Sequence, residues 1–320
     1  MSLSNATTQS NVTKKSKRRK SSNPLRRQQQ TAGFLFSLPW MVGLLFLFIV
    51  PIIASLYFSL TDYSILKPGN FIGLQNYKAL FLDPTFLKSM RVTFYYTVVY
   101  VPLSIILGVL VSMLLNVKFK GQALFRTAVF VPSLVPVIAI MIIWNWLLNP
   151  EIGVVNWFLE LFGIHGPGWF SSETWAMPAL VLVSLWTGVG GSTVIYLAGL
   201  KDVPKELYDA ADVDGAGLWY KAKYVTLPLL TPVIFFQLIM GIIGAFQQFN
   251  LPFLVSGGNG NPNDSLMFFG MYQYNTAFSY LKMGYASAQA WIMFIVIMLI
   301  TLIIFRSQAR WVFYQGKKER

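Results

Sequence analysis

The chain has 320 residues, of which 55% are hydrophobic and only 12% are charged. A soluble domain carries roughly 25% charged residues, so this chain has too little polar surface for a large soluble enzyme. It contains no Cys and a single His, which excludes disulfides, thiolate catalysis and Cys- or His-based metal clusters. We therefore expect a membrane protein without catalytic residues, without a metal site and without a nucleic-acid partner, despite its net charge of +13.

Six apolar stretches are each long enough to cross a bilayer, which takes about 20 mostly apolar residues. The fold class they predict is an all-α, polytopic membrane protein with six transmembrane helices. The predicted spans are about 34–60, 93–116, 123–148, 175–200, 228–254 and 288–305. Around a transmembrane domain at 34–306, we expect a disordered basic tail at 1–33 and a second basic tail at 307–320.

The loops between the spans differ strongly in charge. With the N-terminus inside, 20 of the 25 Lys and Arg residues fall on inner segments and 5 on outer loops. This asymmetry predicts a multi-pass protein of the plasma membrane with both termini in the cytoplasm. The basic cluster from Lys14 to Lys20 is expected to lie near anionic lipids of the inner leaflet, which makes membrane lipid one expected partner.

The spans lack the groups with which a transporter usually captures energy. None contains Asp or Glu, the residues that carry protons in many ion-coupled carriers. No G-x-x-x-x-G-K-[ST] phosphate loop occurs in the chain either. Uphill transport would therefore draw its energy from a partner, although a sodium-coupled carrier that binds its ion with backbone carbonyls is not excluded.

The inner loop between the fourth and fifth spans, residues 201–228, is patterned like folded protein. Asp202 and Pro204 predict the start of a helix. Leu207, Ala210 and Ala211 then form an apolar face with i, i+3, i+4 spacing. This loop is therefore expected to form a helix on the cytoplasmic side.

Two glycines interrupt that helix, and a second short helix follows. Gly215 and Gly217 supply the turn, and residues 218–226 are expected to lead as a helix into the fifth span. One alternative is an amphipathic helix that lies on the membrane surface. Because the first helix carries Glu206 and several Asp residues, which anionic lipid would repel, the sequence favours a protein partner.

The spacing of this loop resembles the EAA loop of the membrane subunits of bacterial ABC importers. Asp209-Ala210-Ala211 matches Glu-Ala-Ala with Asp for Glu, Gly215 follows at the family's spacing, and Val225-x-Leu227-Pro228 is similar to Ile-x-Leu-Pro. In that family the loop docks into a cleft of a cytoplasmic ATPase and transmits its closure. The coupling residues that the resemblance implies are Glu206, Asp209, Ala210, Ala211, Asp214, Gly215, Ala216 and Pro228.

The resemblance extends over most of the chain. Residues 125–159, 253–265 and 275–290 resemble segments of sugar permeases, and Asp214-Gly215-Ala216 has the form typical of the carbohydrate-uptake branch. The pattern is similar to the maltose/glycerol-phosphate-type first permease subunit. It implies a second permease subunit, two cytoplasmic ATPase subunits that hold ATP and Mg, an extracytoplasmic solute-binding protein, and a sugar or oligosaccharide substrate. No cofactor is implied in this chain.

A sugar path needs hydrogen-bonding groups and aromatic faces within the spans. The candidate side chains are Trp144, Asn145, Trp186, Thr187, Thr193, Tyr196, Gln247, Gln248 and Asn250. Each has an alternative explanation, since polar side chains bond to one another between helices and interfacial Trp residues anchor them. The family resemblance places the path at Thr187, Gly188, Gly191, Gly241, Gly244, Ala245 and Gln248, with Asn250 added. Gln248 is the expected main polar contact, on a helical face continued from Gly241.

The outer loops carry one further candidate surface. By resemblance, Gly257, Gly258 and Gly260 contact the solute-binding protein, whereas their composition alone indicates a flexible turn. The single histidine, His165, is expected in a solvated outer loop. The rival classes that the sequence leaves open are an ion-coupled secondary carrier, a non-transporting membrane scaffold or receptor, and an ABC permease for a non-sugar solute.

Overall fold

The computed structural model describes residues 24–117 and 119–313. Over these residues the chain is built of helices and contains no β-strand beyond two isolated bridges in the 61–71 segment. This confirms the predicted all-α class. The chain divides into two compact units, Met1–Ala54 and Ser55–Arg320.

The first unit is a helix that begins earlier than predicted. α1 (Pro24–Gly43) continues through a π-helical stretch, Leu44–Ile49, into α2 (Val50–Ser59), which leads into the second unit. Residues 24–33, expected to be disordered, are therefore helical. Pro24 suits the first helical turn, where its missing N–H costs no hydrogen bond, and the following Arg and Gln residues favour helix. The remainder of the predicted tail, 1–23, lies outside the described residues.

The second unit contains the other helices. They are α3 (Gln75–Leu82), α4 (Pro84–Asn116), α5 (Gln122–Phe130), α6 (Val137–Leu147), α7 (Val154–Glu160), α8 (Ala176–Lys201), α9 (Lys205–Val213), α10 (Leu218–Lys221), α11 (Leu227–Phe246), α12 (Asn250–Ser256), α13 (Phe269–Tyr274) and α14 (Met283–Trp311). A π-helical turn, Ala222–Thr226, joins α10 to α11. Because α14 extends to Trp311, part of the predicted C-terminal tail is helical, and residues 314–320 lie outside the described part of the chain.

Within residues 24–117 and 119–313, five helical stretches are long and apolar enough to cross a membrane, and a bent pair supplies a sixth. The five are Gln28–Ser59, Pro84–Asn116, Ala176–Lys201, Leu218–Ser256 and Met283–Trp311. They correspond to predicted spans one, two, four, five and six. The predicted number of spans is thus reached when the bent pair counts as one.

The third predicted span, 123–148, is not continuous. Gln122–Leu134 and Val137–Leu147 meet at an angle of 101°. Val135 between them is extended, at φ −75° and ψ 133°, as expected for the residue before a proline. In an unbroken helix the ring of Pro136 would also clash with the carbonyl group of Pro132. The two prolines therefore break a stretch whose hydropathy alone predicts one straight helix.

The core lies where α4 packs along α8 and α11. Tyr96 and Val101 of α4, Leu180 of α8 and Phe246 of α11 are buried in one apolar cluster. Gly108 brings α4 close to α8, since a Cβ atom there would lie 2.7 Å from the ring of Tyr196. These contacts fix α8 and α11, which carry most of the candidate path residues, against α4.

Asp83 connects the start of α4 with α13 and the start of α14. Its carboxylate caps α4 by accepting from the N–H groups of Thr85 and Phe86. It also accepts from the hydroxyl groups of Tyr272, before the last span, and Tyr285 in α14, at 2.5 and 2.8 Å. Burial raises the pKa of Asp83, but these four hydrogen bonds outweigh it and hold the pKa below its ordinary value. The burial of Tyr272 and its hydrogen bond to Asp83 raise the pKa of Tyr272.

Candidate functional site

The loop between α8 and α11 folds as a short helix and a tight corner. α8 ends at Lys201, and α9 begins at Lys205 after the extended residue Pro204. Asp202 does not cap α9, as its position had suggested; it ends α8, with its N–H bonded to the carbonyl oxygen of Gly199. The buried side chain of Val203 anchors the connection between the two helices.

The spacing of the EAA-like motif follows from the way α9 ends. Gly215 has φ +74°, its N–H donates to the carbonyl oxygen of Asp212 at 3.0 Å, and the N–H of Ala216 donates to that of Ala211 at 2.9 Å. This is the Schellman arrangement, which needs a left-handed residue at the first position after the helix cap. No atom lies within 4 Å of a Cβ added at Gly215, so backbone conformation, not space, demands glycine there.

Large apolar side chains stand exposed at this corner. Val213, Leu218 and Trp219 are 88%, 87% and 77% exposed, and we call these three residues the exposed corner. The neighbouring acidic side chains on or beside α9, Glu206, Asp209 and Asp214, are exposed as well. An apolar tip flanked by carboxylates fits a protein groove better than an anionic membrane surface. Trp219 was not among the residues predicted from the sequence, although a large aromatic residue two positions after Gly217 in a polar loop was a usable signal.

Side-chain contacts link the helix before the exposed corner to the segment that leads into α11. The hydroxyl groups of Tyr208 and Thr226 lie 2.9 Å apart, and Lys221 pairs with Asp212. Pro228 lies half-buried in a cavity of about 420 Å³, whose wall also includes Leu207, Tyr224 and Phe313. These contacts link α9 to the segment that leads into α11, and Pro228 lies half-buried within that connection.

The middle of the bundle contains a polar cluster that includes two predicted path residues. Tyr96 and Tyr100 of α4 stack with ring centroids 5.1 Å apart. Gln248 donates to the hydroxyl group of Tyr96 at 3.4 Å, and Gly188 lies against the hydroxyl group of Tyr100. The sequence analysis missed both tyrosines. Their i, i+4 spacing within an otherwise apolar span was the signal that could have found them.

The other predicted path residues differ in accessibility. Thr187 and Gly191 of α8 are partly exposed and Gly244 of α11 is exposed, with open space around both glycines. Ala245 is buried, and Gly241 faces Val101 of α4. Gly241, Gly244 and Ala245 therefore do not form one open face.

Gln248 does not continue the helical face that begins at Gly241. α11 ends at Phe246, and a turn at 247–249 precedes α12, which starts at the exposed Asn250. In an unbroken helix, the ring of Pro252 would clash with the carbonyl group of Gln248. The turn aims the half-buried Gln248 side chain at α4, whereas Gln247 is exposed.

The five remaining candidates differ in their surroundings. Thr193 and Tyr196 are buried in the packing of α8 against its neighbours, so they cannot reach a substrate in this structure. Trp144 of α6 packs edge to face on Trp186 of α8, with centroids 5.6 Å apart, and its indole N–H is buried without a partner in the described residues. Asn145 is exposed.

The outer glycines mostly shape the backbone. Gly257, Gly258 and Gly260 have φ between +62° and +82°. Gly258 and Gly260 are buried against Phe253 and Met267, so the expectation that all three present a contact surface is wrong for these two. The loop is fixed by Lys88, which donates to the carbonyl oxygen of Asn263 at 2.6 Å. His165 is exposed, as expected.

Known proteins share this fold and sequence pattern. Residues 101–314 match the family described as "Binding-protein-dependent transport system inner membrane component". The chain is 38% identical to a probable ABC transporter permease protein, YesP, of Bacillus subtilis, over 92% of this chain and 95% of that one. It is 34% identical to the arabinooligosaccharides transport system permease protein AraP of the same organism, over 86% and 88%.

A solved structure shares the architecture at lower sequence identity. It is a chain of a bacterial alginate ABC transporter in complex with an alginate pentasaccharide-bound periplasmic protein. The TM-score is 0.79 at 20% identity, over 90% of this chain and 96% of that chain. The likeness supports the permease fold.

The chain belongs to the family of binding-protein-dependent transport system inner membrane components. It is a multi-pass permease subunit of an ABC importer, which confirms the class predicted from its EAA-like loop. Members of this family are transporter subunits, not catalytic enzymes.

Proposed function

We propose that this chain forms, with a second permease subunit, the membrane path of an importer for a sugar or oligosaccharide. The relatives named for arabinooligosaccharides and for alginate support a carbohydrate substrate. The open glycine positions on α8 and α11 are consistent with a wide path. Both termini would lie in the cytoplasm, as the charge asymmetry predicts.

The exposed corner is the observation that carries this proposal. It unites surface-exposed apolar side chains, flanking carboxylates and a rigid connection to α11. Such an apolar anchor within a polar rim is typical of a protein interface. Two cytoplasmic ATPase subunits would receive it, one for each permease, and ATP and Mg would bind in those subunits. Closure of the ATPases would then move α9 and α11 together.

The substrate would pass beside the cluster of Tyr96, Tyr100 and Gln248. Aromatic faces and an amide are the groups that bind sugar rings and hydroxyls. An extracytoplasmic solute-binding protein would deliver the sugar at the outer end, where Gly257 is exposed on the loop fixed by Lys88. In this cycle the chain itself catalyses no reaction.

The test is co-purification of the tagged full chain from its native membrane in mild detergent. We expect a second permease and an ATPase to be recovered, and both to be lost with Gly215→Pro, because proline cannot adopt the φ of +74°. Gly217→Pro is the matched control, since φ −68° at Gly217 suits proline. Recovery of the wild-type chain alone, even after cross-linking, would contradict the proposal and favour a carrier.

A further inference from the structure

A second cavity lies between the ends of α4, α5 and α8, apart from the exposed corner and from the tyrosine cluster. Its volume is about 330 Å³. Its apolar wall includes Leu115, Val129 and Leu197, and two basic residues, Arg126 and Lys201, line it as well. A cavity of this composition suits a ligand with one anionic end and one apolar end.

The guanidinium group of Arg126 is fixed by one hydrogen bond, and another of its N–H donors has no partner among the described residues. Its Nη2 donates to the carbonyl oxygen of Leu115, in the last turn of α4, at 3.0 Å. Its Nε is buried and has no hydrogen-bond partner within the described part of the chain. A buried donor on a charged group is costly to leave unpaired, so the guanidinium group is positioned for a further acceptor.

Neither cation of the cavity is neutralised by the protein. Among the described residues, the ion pairs are those of Lys88 with Asp264 and of Lys221 with Asp212, so no carboxylate pairs with Arg126 or Lys201. Two unpaired cations on one cavity wall favour an anion between them. A phosphate group matches best, because guanidinium groups bind phosphate oxygens through charge-assisted, often bidentate, hydrogen bonds.

The position of the cavity indicates where the phosphate comes from. Lys201 is the last residue of α8 and Arg126 lies in the first turns of α5, at the end of the bundle that the charge asymmetry assigns to the cytoplasm. α5 and α8 touch at Gly190, where a Cβ atom would lie 2.5 Å from the carbonyl oxygen of Val129. Basic pockets between transmembrane helices on this side bind anionic lipid headgroups.

We propose that this cavity binds the phosphate of an anionic phospholipid of the inner leaflet. Arg126 and Lys201 hold the phosphate, and the wall of Leu115, Val129 and Leu197 holds the first carbons of the lipid. Because α9 begins four residues after Lys201, the bound lipid also fixes the base of the exposed corner. This makes anionic lipid a structural partner of the loop.

Native mass spectrometry of the purified full chain tests this proposal, with phosphatidylglycerol as the probe and phosphatidylcholine as the zwitterionic comparison. We expect one phosphatidylglycerol to be retained per chain and no comparable retention of phosphatidylcholine. In the Arg126→Gln/Lys201→Gln variant, we expect phosphatidylglycerol binding to weaken roughly 25-fold, because each cation near the membrane surface contributes a factor of about five. Lys205→Gln/Lys223→Gln removes the same charge from exposed lysines outside the cavity and should bind like the wild type.

A single variant keeps the test valid if loss of Arg126 impairs folding. The side chain of Lys201 is exposed and makes no hydrogen bond in the described structure, so Lys201→Gln should fold normally and bind phosphatidylglycerol roughly fivefold more weakly. Equal retention by wild type and both cavity variants would overturn the site. Displacement of the lipid by inorganic phosphate, or equal retention of phosphatidylcholine, would overturn its assignment to an anionic lipid. The readout is lipid binding, so it is independent of the proposed transport function.

Discussion

The hydroxyl group of Tyr100 in α4 lies directly against Gly188 in α8, and a Cβ atom at Gly188 would stand 2.8 Å from that oxygen. Tyr100 in turn stacks on Tyr96, with an angle of 7° between the two rings. Because one face of the ring is stacked on Tyr96, moving the hydroxyl group away from Gly188 would disturb that stacking. The tyrosine pair and the glycine therefore form one packed unit between the second and fourth spans.

This relationship predicts different effects for two neighbouring glycines. Gly188→Ala should destabilise the purified chain by about 1 kcal/mol, the lower end of the usual cost of overpacking, and should reduce uptake by displacing Tyr100. Gly191→Ala is the matched control, because open space surrounds Gly191. Thermal unfolding in detergent and an uptake assay would measure both effects. Equal behaviour of the two variants would show that Tyr100 is not fixed against Gly188.

The exposed corner predicts an interface effect without a stability effect. Trp219→Ala should leave thermal unfolding unchanged, because the side chain is 77% exposed. If Trp219 anchors the interface, the affinity for the ATPase should fall roughly thirtyfold or more, as for a hot-spot residue. Titration of the purified permease with its ATPase would measure this change. Trp157→Ala, at an exposed position on α7, is the control and should not alter the affinity.

The width of the proposed path predicts a dependence on substrate length. Gly244 is exposed and no atom lies within 4 Å of a Cβ added there, so the first atom of a new side chain meets open space. The added ring would narrow the path, and transport of long oligosaccharides should fall much more than that of short sugars. Leu299→Phe, at an exposed position on α14, serves as the control. Equal transport of long and short sugars by Gly244→Phe would argue against a path beside Gly244.

The sequence predicted the elements that depend on local pattern. Hydropathy located the spans, and the glycines and spacing of the loop located α9 and its corner, because a Schellman end needs glycine at a fixed distance from the helix. The break in the third span was missed because apolarity was weighed above Pro132 and Pro136, although both were visible. The burial of Tyr196 and the contact of Tyr100 with Gly188 depend on which face of α4 meets α8. No periodicity within one helix contains that information.

The hydrogen bonds of Asp83 predict that the stability of the folded chain decreases at acid pH. Its pKa is lowered in the folded chain from 3.8, so the stability it contributes is fully present above that value and is lost as the pH falls through the lower folded-state pKa. The ionisation of Asp83 should therefore hardly change the unfolding temperature between about pH 5 and about pH 8. Below about pH 4 the unfolding temperature should fall.

The Asp83→Asn variant distinguishes the effect of Asp83 on stability from the effects of the other carboxylates. It should be less stable than the wild type at neutral pH, because an amide accepts the hydrogen bonds of Tyr272 and Tyr285 less strongly than a carboxylate does. The difference between the two proteins should shrink as the pH falls below about 4. A difference that stays constant down to the acid transition would mean that the charge of Asp83 contributes nothing.

The most direct test of the central claim is site-specific photo-crosslinking in the intact native membrane. A benzophenone amino acid would replace Trp219 at the exposed corner or Phe158 on α7, which the charge asymmetry assigns to the opposite side of the membrane. The account predicts that position 219 cross-links to a cytoplasmic ATPase and that position 158 does not. Cross-links from position 219 to lipid alone, or equal ATPase cross-links from both positions, would contradict the role of this loop in coupling transport to ATP hydrolysis.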